Sequence, residues 1–218
     1  MVIGAASLAR PNWMVYDTIR LACPAIRRSD LNRFRARNCD SSMSDLPWLG
    51  AYSGQSVQEL LLLRGTYRDD SILVALDMGL QQKCVREERR ASTEAETNVL
   101  ALVAFENEVM NGGLWQFLAN SSREFADRIC SALALIGASE KAEVVRRAFA
   151  AVGLDEQPSV SLVAAVVGDE GDFETQEARR AGLVQILEPF DDRLMESGPG
   201  LAELLLDYVR THESHFHL

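Results

Sequence analysis

The stretch F-E-N-E-V-M-N-G-G-L-W-Q-F-L-A-N-S-S, Phe105 to Ser122, threads polar side chains among large apolar ones on both sides of a glycine pair. Val99, Leu102, Val103, Val109 and Met110 fit one face of a helix running into it. Asn111-Gly112-Gly113 follows, and Asn and Gly tolerate positive φ, so a helix stop and reversal is expected there. Leu114, Trp115, Phe117 and Leu118 then begin a second, largely buried turn of helix. Buried amides and carboxylates need partners. Glu108, Asn111, Gln116 and Asn120 are therefore expected to satisfy one another and the backbone groups freed at the turn. The pattern predicts a helix-corner-helix pinned by a polar network. It is either a structural corner alone or a ligand or partner site. Glu106 falls in register with Leu102, Val103 and Met110, so it is expected to be partly buried and to need a donor.

Upstream, Leu46 to Gly54 reads as an entry loop, and Ser56 as the cap of a helix over 57–64. Asp70 or Ser71 is expected to cap the next helix. There Ile72, Leu73, Leu76, Leu80 and Cys84 keep the helical period, to about Arg90. The corner helix starts near Thr93. Downstream, Ser121 and Glu124 match a capping box. Phe125, Ile129, Leu133 and Ile136 share the following face, and Gly137 ends it. Ser139 should cap a helix with Val144, Val145, Phe149 and Val152 inward, closed at Gly153. Residues 162–167 are apolar and rich in β-branched side chains. In an otherwise helical chain they read as a short buried helix in preference to a strand. Periodicity returns near Thr175, breaks at Pro189 and resumes to Met195; a last helix runs from Leu201 to about His212. The fold class expected is all-α: one compact multi-helix domain over 44–218. Residues 1–43 read as a disordered or spurious extension, with Met43 a natural start.

Charge separates the two parts. Residues 1–42 carry seven arginines and three aspartates, a net +4. Residues 43–218 carry fifteen basic and twenty-nine acidic residues, a net −14. An acidic body repels phosphates, which argues against direct nucleic-acid binding and favours basic partners or plain solubility. No apolar run approaches the ~18 residues of a membrane helix, so no membrane role is expected. Cys23, Cys39, Cys84 and Cys130 form no C-x-x-C pair, which fits a reducing, cytoplasmic setting.

Catalytic signatures are lacking. There is no nucleophile elbow, phosphate-binding glycine loop, H-E-x-x-H or zinc-type cysteine pattern. No cofactor or metal is expected, and the protein reads as non-enzymatic. His212, His215 and His217 crowd the tail and are read as a frayed, solvated terminus.

Glu108, Asn111, Gly112, Gly113, Leu114, Gln116, Phe117, Asn120 and Ser121 together resemble the signature of the DNA mimic protein 19-like family, a bacterial all-helical family of mostly unknown function. Ala132-Leu133, Ile136-Gly137-Ala138, and Leu206 to Arg210 followed by Phe216 extend the resemblance over roughly residues 56–216. Leu114 and Leu118 depart from it, standing where aromatic residues are more usual. The resemblance implies an all-α fold, a protein partner and a homodimer. It does not transfer mimicry residue by residue, because the motif is the corner.

No Lys or Arg lies between Arg147 and Arg179, where Asp155, Glu156, Asp169, Glu170, Asp172, Glu174 and Glu177 occur. Glu188, Asp191, Asp192 and Glu196 follow, relieved by Arg193. Such a run is either a solvated face or a surface competing with DNA. Carboxylates on rigid helices, ~5–6 Å apart at i and i+3 or i+4, can imitate a row of phosphates. The residues expected to bind a basic regulator or nuclease are Asp155, Glu156, Asp169, Glu170, Asp172, Glu174, Glu177, Asp191, Asp192 and Glu196. The alternative is a small-ligand-binding or hydrolytic domain that uses the Glu108, Asn111, Gln116 and Asn120 corner as its pocket.

Overall fold

The hydrophobic spacing is realised entirely as helix among the described residues, which are 45–50, 52–87, 92–168 and 172–218 of the computed structural model. In order these are α1 (Val57–Leu62), α2 (Asp69–Arg86), α3 (Glu94–Ala119), α4 (Ala126–Leu135), α5 (Ser139–Ala151), α6 (Val160–Val167), α7 (Phe173–Glu196) and α8 (Leu201–Thr211), with 3-10 turns at Ser121–Phe125 and Glu213–His215. Residues 46–218 form one unit. The expectations for the N-terminal extension lie outside the described residues. The all-α class holds.

Helix starts follow local chemistry where a side chain can reach a free amide. Ser56 and Glu59 form a reciprocal capping box on α1, and Thr93 and Glu96 form another on α3. Ser159 caps α6 and Asp172 caps α7, each accepting the N–H three residues on. Three expected caps are not caps. Arg68 is the N-cap of α2, so Asp70 and Ser71 lie in its first turn; Asp70 pairs with Arg68 and the Ser71 hydroxyl donates to the Arg68 carbonyl. Ser121 lies inside a 3-10 turn that delays α4 to Ala126. Ser139 is already helical, with Ala138 at the cap position.

Two expected element limits also move. α2 stops at Arg86. α7 runs unbroken through Pro189. Proline there removes a hydrogen bond and crowds the preceding turn, at a cost of about 3 kcal/mol. Pro189 and Gln185, whose carbonyl loses the bond, are both exposed, and Leu187 and Leu194 on the opposite side are buried and hold the helix in place. Residues 160–167 are helical, as expected, but only Val163 and Val167 are buried; Val160 and Leu162 face outward.

α3 is apolar around most of its circumference and takes the middle of the bundle. It packs against α2, α4, α6, α7 and α8. Val99, Leu102, Val103 and Phe105 are buried from its first limb, and Leu114, Phe117 and Leu118 from its second. Met110 is 48% exposed, because it sits on the last turn before the corner, beyond the packed face. The Phe105 and Phe117 rings meet edge to face at 5.1 Å, joining the two limbs. Cys130 is buried on α4 and its thiol is pushed up to about 11 by that burial.

The tail is not frayed. Phe216 is buried and lies edge-on to Tyr208. The Thr93 hydroxyl donates to the His215 carbonyl, and the His217 N–H donates to Glu96. His212 stacks on Tyr208 at 4.3 Å. Glu96 is itself fully buried and holds the buried Lys83 ammonium at 2.9 Å through both oxygens. One carboxylate thus ties together α2, the start of α3 and the C-terminal segment.

Candidate functional site: a braced corner and an acidic helix face

The corner forms where the residue types require it. Gly113 has φ +76° and ψ −175°, a region open in practice to glycine alone. Gly112 has φ −163°, outside the left-handed region, but a Cβ there would meet the Gln116 carboxamide. The second limb, starting at Leu114, needs an acceptor for its free amide. Asp191 of α7 supplies it: Oδ1 accepts the Leu114 N–H at 2.8 Å. The side chain that caps this limb is therefore 77 residues away in sequence.

Glu108 is the centre of the polar network. Its Oε2 accepts from Gln116 Nε2 at 2.7 Å and Asn120 Nδ2 at 2.8 Å, and its Oε1 accepts from the Ser122 hydroxyl at 3.2 Å. Asn111, expected as a fourth member, is exposed and instead donates to the Asn107 carbonyl. It ends its own limb before the chain turns, so its amide faces back along the helix. Ser122 takes the vacant place. Serine in a polar stretch gave no signal for that role. The partners of Glu108 come from the chain itself, and no corner residue lines the larger described cavity. The corner is braced, not open.

Glu106 is half-buried as expected, but no donor reaches it among the described residues. Burial raises its carboxyl to about 7, with Lys141 opposing the shift and Asp70 adding to it. Lys141, itself held down by burial, donates to the Leu194 carbonyl at 2.7 Å. Burial likewise raises Asp191 to about 6; the Leu114 N–H opposes this, and Asp192 and Glu188 add to it.

That shift fixes a pH dependence. An unfolded aspartate ionises near 3.8, the folded Asp191 near 6. Between these values the folded state binds the extra proton, so the contribution of Asp191 to stability is fully present below about pH 4 and lost as pH rises through about 6. Asp191→Asn keeps an acceptor for Leu114 and removes the titration. The variant is expected to flatten the pH 4–6 part of the stability curve, measured by urea unfolding; Asp191→Ala removes the titration too and, lacking the acceptor for Leu114, should be about 1 kcal/mol less stable than Asp191→Asn at all pH values.

The acidic residues divide by position. At about 100° per residue, Glu174, Glu177, Glu188, Asp192 and Glu196 fall within about 100° of one another, opposite the buried Leu183, Leu187 and Leu194. All five are exposed. At 1.5 Å per residue the row is about 33 Å long. Arg179, Arg180 and Arg193 fall outside that arc, though Arg180 reaches Glu177 at 3.6 Å. Asp172 sits at the start of the helix, where the Thr175 amide holds its carboxyl below the usual range. Asp155 and Glu156 are on the connection between α5 and α6, and Glu156 is already paired with Arg146 at 3.0 Å. Asp191 points inward to the corner. Asp169 and Glu170 lie outside the described residues.

A family model described as DMP19-like protein matches residues 90–212, from just ahead of the corner helix to the end of α8. The chain belongs to this family. The DMP19-like segment contains the whole corner, the whole acidic row and the Asp191 contact joining them. No curated protein and no solved structure matches the chain. Among the described residues, no helix of this DMP19-like chain is long and apolar enough to cross a membrane, and no group of three or more His, Cys, Asp or Glu is placed to hold a metal ion.

Proposed function

We propose that this protein is a non-enzymatic, cytoplasmic interaction module whose α7 face occupies the basic DNA-binding surface of a regulator or nuclease. The observation that carries this reading is the exposed row of Glu174, Glu177, Glu188, Asp192 and Glu196 on one side of one helix. Its support on buried Leu183, Leu187 and Leu194 keeps the carboxylates from the entropy loss that a flexible acidic tail would suffer on binding. A surface of one sign accelerates encounter with its opposite and weakens steeply with salt. Family membership agrees with a protein partner. A second copy of the chain, paired with the first, would lengthen the row.

The test is capture from lysate on the immobilised full chain, followed by salt elution. The expected partner binds duplex DNA, elutes as salt rises, and is displaced by added duplex. Replacing Glu174, Glu177 and Glu188 by Gln and Asp192 by Asn should weaken it at least about tenfold, since four exposed charge pairs together reach that range. The melting temperature should stay unchanged. A partner held equally well by this variant, or one that DNA does not displace, defeats the reading.

A further inference from the structure

A cavity of about 610 Å³ lies away from both the corner and the acidic row. Its walls come from the start of α3, one face of α4 and the connection into α6. Its chemistry is mixed. Arg128, on α4, projects into it and donates to Asn98 Oδ1 at 3.3 Å. Asn98 is 6% exposed as a whole residue. No buried side-chain nitrogen among the described residues lacks a partner, so its amide nitrogen, which donates to no protein group, opens on the cavity. Arg128 is also only loosely held by Asp127, at 3.9 Å, which leaves guanidinium donors available. Two carboxylates, Glu94 and Asp127, line the same cavity and are exposed. Hydroxyls of Ser131 and Ser159 complete the polar lining.

We propose that this cavity binds a small zwitterion of unblocked-dipeptide size, its carboxylate on Arg128 and Asn98 and its ammonium against Glu94 and Asp127. The volume falls in the ~300–1,000 Å³ range of small-molecule sites. A guanidinium with free donors beside an unpartnered amide is suited to a carboxylate, which accepts charge-assisted bonds in pairs. A ligand carrying only negative charge would meet Glu94 and Asp127. A ligand carrying only positive charge would meet the Arg128 guanidinium and offer the Asn98 amide no acceptor. A molecule with both ends satisfies each group.

The experiment titrates the full chain by calorimetry with a panel of unblocked dipeptides bearing apolar, polar and charged side chains. At least one should bind with a Kd below about 1 mM, as two charge-assisted contacts support. Its C-terminal amide and its N-acetyl derivative should each bind at least about tenfold more weakly. Arg128→Gln should lose the binding. Ser131→Phe, at an exposed helix position, should fill the cavity and lose it too, with an unchanged melting temperature as the check on folding. The α7 charge variant should bind as the parent does, which separates this site from the proposed interaction face. A panel with no ligand below about 10 mM overturns the assignment, as does binding that survives amidation or Ser131→Phe.

Discussion

Glu96→Ala is expected to destabilise the protein by about 3–5 kcal/mol, the range for removing one member of a buried ion pair. The Lys83 ammonium is 5% exposed and would keep its charge with no counter-ion. The Thr93 N–H and the His217 N–H would lose their acceptor in the same step. Domains of this kind have about 5–15 kcal/mol in total, so the loss is a large fraction of it. The Thr93 and His217 amides use different oxygens of Glu96, so Glu96→Gln retains an acceptor for one of them and should cost less than Glu96→Ala. Lys83→Met combined with Glu96→Gln should recover part of the loss, because no charge then remains buried. Urea unfolding of the three variants gives the order. A cost below about 1 kcal/mol for Glu96→Ala would show the pair to be far less desolvated than the geometry indicates.

Gly113→Ala carries the second large effect, about 2–4 kcal/mol. The φ of +76° with ψ near 180° strains any L side chain by about 1–3 kcal/mol. The added Cβ would also run into the Asp191 carboxylate, pushing away the acceptor of the Leu114 amide at a further cost of about 1 kcal/mol. Gly112→Ala is the control. Its φ of −163° is outside the left-handed region, and the new methyl meets Gln116, at the carboxamide and the Cβ, so the strain falls on the Gln116–Glu108 bond and not on the Asp191 contact. It should cost clearly less. Equal losses for the two, measured by chemical denaturation, would remove the Asp191 contact from the explanation.

The contrast between these sites and the rest shows what a sequence can disclose. The helix-corner-helix was readable because each part is local: an apolar period, an Asn-Gly-Gly stop, and a second apolar turn. Glu108, Gln116 and Asn120 were readable as partners because they lie within one turn-and-return of chain. Asp191 was not, since nothing near residue 191 reveals that it caps a helix starting at Leu114. It looked like one more member of an acidic run. The Lys83–Glu96 pair was hidden for a related reason. Lys83 has the look of a solvated helix end, and only the packing of α2 on α3 and the return of the tail bury it. Caps at Ser121 and Ser139 misled because capping patterns describe a short window, while a crowded connection can begin a helix by a 3-10 turn or a bare alanine. The acidic row needed one fact beyond the sequence, that α7 continues through Pro189. A break there would have put Glu174 and Glu177 on a different axis from Glu188, Asp192 and Glu196.

That unbroken proline has a consequence for what a visitor to α7 would meet. The row has an uncharged middle, in which Ala178, Ala181, Gly182 and Gln185 separate its two clusters by about 16 Å. A regular helix presents no main-chain acceptor along its side, because each carbonyl is occupied by the amide four residues on. Pro189 has no such amide to give to Gln185. The Gln185 carbonyl oxygen therefore lies on the solvent side, within the neutral interval, as an acceptor that a substitution of Pro189 would remove and a substitution of Gln185 itself would not. An arginine or lysine passing from one cluster to the other finds an oxygen supplied by the backbone, about 12 Å beyond Glu177 and one turn short of Glu188.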